Sequence, residues 1–256
     1  MSQRKIKSGA VLCAVLLGAM NVDVRASAAH ATPVPPLVLH AAAAYAADVR
    51  GVIGMQRHFS TVLHAGPIHH TEESDSGQLM RDGSFVKIKY FRIADDGKAF
   101  SAQQTAQRDS QTNQDWAVGK IFFKEPYDRR FIGDYTYDPP QACAACPAGT
   151  VAIAFASRVK DTQHGSGTMW IALATGRVNR LTYVPNVLPS HATSASVTET
   201  TGTALPDVWY VTRIDGTYRG RAFILKGTGA FTGAFDHFRR FATVTQGEAA
   251  LQAGSI

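Results

Sequence analysis

The sequence predicts a mainly β protein of the α+β class, with an antiparallel sheet and a few short helices. Strand-like segments rich in β-branched and aromatic residues dominate the chain from residue 52 onward. Turn signals recur about every 8–14 residues between these segments, which is typical of an antiparallel meander. Only two stretches have a helical composition, and the length of 256 residues suits one mainly β domain.

The first 31 residues have the features of a secretory signal peptide. Basic residues at positions 4–7 precede an apolar run of 11 residues, Ala10–Met20, and small residues follow at Ala26-Ser27-Ala28. A signal peptidase recognises this order, and the run is shorter than the ~20 residues of a membrane-spanning helix. We therefore expect cleavage after Ala28 or Ala31, a periplasmic or secreted protein, and no transmembrane span in the mature chain.

The charge of the chain is mildly basic and evenly spread. Half of the formal net charge of +6 lies in the predicted signal peptide. The densest basic groups in the rest of the sequence are Asp128-Arg129-Arg130 and His237-Phe238-Arg239-Arg240. Nucleic-acid binding normally requires a concentrated basic face, so we predict no nucleic-acid partner.

The mature chain is expected to divide into a linker, one domain and a tail. Residues 32–50 begin with a proline-rich spacer and continue in the alanine-rich segment Leu37–Asp48, which favours a short helix. Residues 51–245 are predicted to form a single β domain, and Gln246–Ile256 a disordered tail. Within the domain, Phe100–Trp116 is rich in glutamine and favours a polar helix or an ordered crossing.

Two strand patterns indicate which side chains face inward. Asp82-Gly83 is a strong two-residue hairpin signal, since a type I′ turn needs positive φ at both central positions. In the strand that follows, Ile88 and Tyr90 alternate with lysines, so one face of the strand is apolar and the other is exposed to solvent. Ile153 and Phe155 alternate with alanines in a later strand, which indicates a second buried face.

Cys143 and Cys146 form a C-x-x-C pair in a loop bounded by prolines. Outside the cytoplasm such a pair is expected to be oxidised, and we predict a disulfide between them. A thioredoxin-type redox site is the first alternative, but the flanking prolines and alanines do not provide its helix N-terminus. Covalent haem would need a histidine where Pro147 stands, and a zinc site, the second alternative, would need another ligand pair.

No catalytic motif stands out in the sequence. His64, His69 and His70 form the tightest histidine group, but neighbouring residues of a regular strand point to opposite faces and cannot share one ion. The segment from His164 to Gly167 resembles a serine nucleophile motif only superficially, and Gly227-Thr228-Gly229 lacks the helix of a phosphate loop. We predict no catalytic residue, no metal and no cofactor, with a His-dependent metal-binding hydrolase as the third hypothesis.

One segment resembles a known family. Gly167–Val178 reads GTMWIALATGRV, which is similar to the pattern G-x-x-W-I-D-x-x-T-G-x-V of the LolA-like lipoprotein-carrier superfamily, except that Ala172 replaces a commonly acidic residue. The stretch Pro185–Pro189 and the strand at Val208-Trp209 continue the similarity. The resemblance implies a strongly curved sheet that forms an unclosed half-barrel around helices, with an apolar concave cavity for acyl chains. It carries over no catalytic residue, because the family works by binding.

The leading hypothesis is an exported, non-catalytic binding protein that shelters a lipid or an acyl group in the concave face, as an envelope carrier or sensor. Each buried methylene contributes ~0.8 kcal/mol, so an acyl chain has enough apolar surface for tight binding. The alternative is a structural or protein-interaction module that binds another envelope protein through an exposed edge strand. The candidate ligand-binding residues, chosen for inward alternation, are Ile88, Tyr90, Ile153, Phe155, Ile171, Trp209, Val211 and Phe223.

Overall fold

A computed structural model describes residues 33–119, 123–144, 146–188, 192–222 and 225–256 of the chain. The predicted signal peptide, residues 1–31, and the candidate Phe223 lie outside these residues. The described helices are α1 (Pro36–Asp48), α2 (Ala102–Ala117) and α3 (Val244–Ala253). The strands are β1 (Val52–Ala65), β2 (Ile68–Arg81), β3 (Ser84–Asp95), β4 (Lys98–Ala99), β5 (Tyr135–Tyr137), β6 (Gln141–Ala142), β7 (Thr150–Ser157), β8 (Gly165–Ala172), β9 (Val178–Pro185), β10 (Ala192–Leu205), β11 (Val208–Ala222) and β12 (Leu225–Phe241).

The strands form one antiparallel sheet that stays open. Its order is β4-β3-β2-β1-β12-β11-β10-β9-β8-β7-β5, and the short β6 also pairs with β7. β4 and β5 lie at the two ends of this order and, over the described ranges, do not pair with each other. The fold class expected from the sequence, a curved antiparallel sheet in an unclosed half-barrel with short helices, is therefore confirmed.

The hairpin turn predicted at Asp82-Gly83 is also confirmed. It joins β2 to β3, and φ is positive at both central residues, 50° at Asp82 and 74° at Gly83. Glycine adopts such angles without a steric penalty, and aspartate does so more readily than most residues. The Asp82 carboxylate accepts a hydrogen bond from Gly51 N at 2.8 Å, which holds the turn against the start of β1.

Both helices expected from composition are present. α1 spans the alanine-rich segment and begins one residue before it, and α2 begins after Ser101 with a capping box. In this box Gln104 N donates to the Ser101 hydroxyl, while Ser101 N donates to the Gln104 side chain. None of the helices in the described part of the chain combines the length and the apolar character needed to cross a membrane.

α2 covers the edge of β3. Asn113 takes the place of a strand neighbour, because its Oδ1 accepts from Ile88 N and its Nδ2 donates to Ile88 O, both at 2.9 Å. Asp109 Oδ1 accepts from Tyr90 N at 2.7 Å. An open edge strand would expose these backbone groups for pairing with another chain, and the helix side chains satisfy them instead.

The main hydrophobic core fills the inner face of the sheet, the face that carries α1. Side chains of α1 and of the segment 123–132 pack there against β5 and β7–β10. This burial supplies the main driving force for folding of that half of the sheet. The buried members of the cluster are Val38, Ala41, Tyr127, Tyr135, Tyr137, Ile153, Phe155, Met169, Ile171, Val178, Leu181, Tyr183 and Val197.

The end of the chain forms α3, so the expectation of a disordered tail at Gln246–Ile256 is wrong. Leu251 is 0% exposed and Ile256 is 5% exposed, and both pack with Val52 and Leu79 on the outer face of β1 and β2. The Thr243 hydroxyl caps the helix by accepting from Gln246 N. Leu251 and Ile256 are too far apart in the sequence to give a periodic signal. Only the packing of α3 on the sheet shows that they belong to the core.

Candidate functional site

The structure places most of the candidate ligand-binding residues in the packed interior. Ile88, Ile153, Phe155 and Ile171 are at most 4% exposed, and the last three belong to the cluster beneath α1. Tyr90 remains half-buried on β3. Inward alternation was thus a sound guide to burial, but burial in this half of the sheet means contact with the protein's own helix and loop.

Trp209 and Val211 line a narrow crevice between α1, β9 and β11. The crevice holds about 20 Å³ of free space, which is room for a single water, whereas ligand sites commonly measure roughly 300–1,000 Å³. Its walls are tied together: Trp209 Nε1 donates to Val178 O at 2.9 Å, and Arg177 forms an ion pair with the buried Asp48 of α1 at 2.7 Å. The crevice is therefore a well-packed part of the core and is too small to hold a ligand.

Next to the main core, and packed against it through Ile214 and Phe231, the inner face carries a second group of apolar side chains, which we call the inner wall. It consists of Phe59 on β1, Ile214 on β11, and Phe231 and Phe235 on β12, all half-buried. Phe59 and Phe235 meet edge to face with ring centroids 5.8 Å apart. Gly233 lies between Phe59 and Ile214 in the strand register, and a Cβ there would come within 2.6 Å of the Phe59 ring.

Arg57 is placed on β1 among these rings. Its guanidinium carbon lies 4.7 Å from the Phe59 ring centroid and 5.8 Å from that of Phe235, at cation–π distance. Within the described ranges its enclosed Nε has no hydrogen-bond partner and no carboxylate pairs with the guanidinium. Burial lowers the pKa of Arg57, while the neighbouring Tyr90 and Tyr210 raise it.

A pair of carboxyl groups connects the segment 123–132 to β10. Glu199 of β10 is 5% exposed, and burial raises its pKa to about 7, although hydrogen bonds from Glu125 and Tyr183 oppose the rise. Burial and the nearby Glu199 carboxylate hold the pKa of Glu125 well above its usual range. Tyr183 Oη donates to Glu199 Oε1 at 3.3 Å. Near neutral pH the two carboxyl groups therefore retain a shared proton.

Two of the three histidines of the metal hypothesis, His64 and His69, come together in the structure, and His70 lies apart from them. The His64 and His69 rings face each other across the β1–β2 hairpin with centroids 4.6 Å apart. His70 instead lies beside the β3–β4 turn, where its Nδ1 is 3.1 Å from Asp95 Oδ1 and 3.4 Å from Asp96 Oδ2. Adjacent strand residues do point to opposite faces here, so the three histidines do not converge.

Two further sequence features have structural roles. His164 is 1% exposed and lies between Asp161, at 2.7 Å from its Nδ1, and Asp134, at 3.2 Å from its Nε2, so it ties the β7–β8 connection to the start of β5. Cys143 and Cys146 form the predicted disulfide, with their Cα atoms 5.3 Å apart. This prediction is confirmed, and the bond closes a small ring in the loop after β6.

Sequence reasoning missed the residues that distinguish the inner wall. Arg57 lies at an alternate position of β1 between Met55 and Phe59, so strand alternation alone would have placed it on the apolar face. A charged residue in such a row is an unusual signal. Glu125 and Glu199 had no local signal, because their contact joins residues from distant parts of the chain.

Comparison with known proteins finds neither a protein-family model nor a curated protein that matches the chain. Among solved structures, the chain is similar to a DUF1329 family protein from Desulfovibrio piger, at 11% identity over 87% of this chain and 98% of that one, with a TM-score of 0.44. A putative outer membrane lipoprotein-sorting protein domain from Vibrio parahaemolyticus is 12% identical over 85% and 96% of the two chains, with a TM-score of 0.44. A LolA superfamily protein from Nitrosomonas europaea is 10% identical over 82% and 94%, with a TM-score of 0.36.

Proposed function

We propose that the protein is an exported, non-catalytic binding protein that shelters the apolar chain of a lipid or acyl group on the inner face of its half-barrel. The observation that carries this proposal is the inner wall, where aromatic rings on the inner sheet face remain partly exposed beside an arginine. Apolar surface with a few polar groups is typical of ligand sites. The resemblance of Gly167–Val178 to the lipoprotein-carrier superfamily supports the same function.

The proposed contact residues differ in part from those chosen by alternation. Phe59, Phe231, Phe235 and Tyr90 retain exposed surface and are proposed to contact the ligand. The fully buried residues of β7 and β8 are proposed to support the curvature of the sheet from the core. The predicted signal peptide at residues 1–31 motivates the exported location.

Loss of an inner-wall ring should weaken acyl binding. Removing a phenyl group withdraws apolar contact area, and at ~25 cal/mol per Å² of lost contact we expect Phe235→Ala or Phe59→Ala to lower affinity by about tenfold. The measurement is displacement of a fluorescent acyl probe from delipidated protein, together with native mass spectrometry of protein purified without detergent. Phe91→Ala removes an exposed phenyl group that lies next to Gly77 on the outer face; it is the matched control and should leave affinity unchanged.

Two results would contradict the proposal. One is the absence of any bound lipid or probe in correctly folded protein. The other is equal affinity of Phe235→Ala, Phe59→Ala and the wild type for the probe, which would show that the inner wall does not contact the acyl chain.

The structure favours acyl binding over docking of a partner strand at a sheet edge. At one end, the Ile88 and Tyr90 backbone groups of β3 are already paired with side chains of α2. At the other end, β5 and β6 are only three and two residues long. Such short strands present few backbone groups to a partner, so strand addition would gain little there.

A further inference from the structure

Arg57 carries a charge that the described structure does not balance. A guanidinium stays protonated in proteins, so partial burial cannot be relieved by loss of a proton. Buried charges are normally paired, because leaving water without a counter-ion is unfavourable. Yet the enclosed Nε of Arg57 has no hydrogen-bond partner among the residues that the structure describes. The rings of Phe59 and Phe235 offer cation–π contact only.

The nearby acidic groups are engaged elsewhere. Asp75, on the strand next to Arg57, lies on the outer face, where it contacts His58 at 2.9 Å and Arg92 at 2.6 Å. On the inner face, Asp128 is held by Arg130 at 2.5 Å, and Glu199 accepts a hydrogen bond from Tyr183 at 3.3 Å. The polar groups that act electrostatically on Arg57 are the phenols of Tyr90 and Tyr210, and neither is a carboxylate.

We propose that Arg57 binds the anionic head of an amphiphile, a carboxylate or a phosphate, whose apolar chain lies along the inner wall. This inference rests on the proposed function and specifies the class of ligand. The planar guanidinium donates several hydrogen bonds in a fixed geometry, and it matches the oxygens of both head groups. Phe59 and Phe235, whose rings both lie within cation–π distance of the guanidinium, would contact the first methylenes of the chain.

The test compares head groups on one chain length. Delipidated protein is titrated by calorimetry at pH 8 with dodecanoate, dodecyl phosphate and dodecanol, and each variant is checked for folding by circular dichroism. We expect the two anions to bind wild type about tenfold or more tightly than the alcohol, as charge-assisted hydrogen bonds imply. Arg57→Gln should abolish this preference and leave dodecanol affinity within about threefold of wild type.

Arg213→Gln is the matched control, because it removes the same charge from the exposed outer face of β11, where Arg213 pairs with Asp215. It should retain the full preference for anions. A preference for only one of the anions would identify carboxylate or phosphate as the natural head.

The outcomes separate the two proposals. Wild type that binds dodecanol and dodecanoate equally would overturn the anion inference and leave acyl binding intact. The same holds if folded Arg57→Gln keeps the preference. Should none of the three amphiphiles bind, the proposed function itself fails. The comparison of heads on wild type is decisive even if Arg57→Gln does not fold.

Discussion

Truncation of Leu251 tests whether the chain end is part of the folded domain. Leu251 of α3 is 0% exposed. Its Cδ1 packs so closely on Gly77 of β2 that a Cβ at that glycine would lie only 2.6 Å from it. Leu79 packs in the same cluster. Leu251→Ala replaces a buried isobutyl group with a methyl group and leaves a cavity between α3 and the sheet.

Leucine-to-alanine changes at fully buried sites lower the free energy of unfolding by about 2–5 kcal/mol. α3 is a surface helix and can shift toward the sheet, so we expect about 3 kcal/mol. For a chain of this size that corresponds to a fall in Tm of roughly 6–12 °C. A loss of this size is a large fraction of the ~5–15 kcal/mol that stabilises a typical domain.

Urea denaturation followed by circular dichroism measures the change directly. Gln252→Ala, one residue further along and exposed, is the control and should alter stability by less than about 0.5 kcal/mol. If Leu251→Ala were as stable as this control, the packing of α3 against β2 would be refuted, and the tail would be disordered as its composition suggests.

Folding raises the pKa of Glu199 from 4.5 to about 7, so between these pH values the folded state holds a proton that the unfolded chain has released. The free energy of unfolding should therefore fall as pH rises across this window, and Glu199→Gln should flatten that slope in urea titrations. Asn113→Ala frees both Ile88 backbone groups, so we expect a loss of about 1–3 kcal/mol and concentration-dependent association in light scattering, neither of which Gln111→Ala should produce. N-terminal sequencing of the protein recovered from the source cells should begin at Ala29 or Thr32, and an intact Met1 would contradict export.

Local sequence signals predicted much of this molecule. The Asp82-Gly83 turn, the α2 segment and the Cys143–Cys146 bond all depend on residues within a few positions of one another. Their chemistry is decided by near neighbours, so composition and spacing are sufficient. The alternation of β3 and β7 likewise showed which side chains turn inward, since strand geometry alone sets that direction.

The functional surface depended on contacts between distant segments. The sequence by itself determined an antiparallel sheet with apolar inward rows, because strand periodicity and turn chemistry are local properties. Only the tertiary structure decided which rows are covered: α1 buries Ile153 and Ile171, whereas Phe59 and Phe235 stay partly exposed around Arg57. Whether an inward side chain becomes core or binding surface depends on what packs over it, and the covering segments lie far away along the chain.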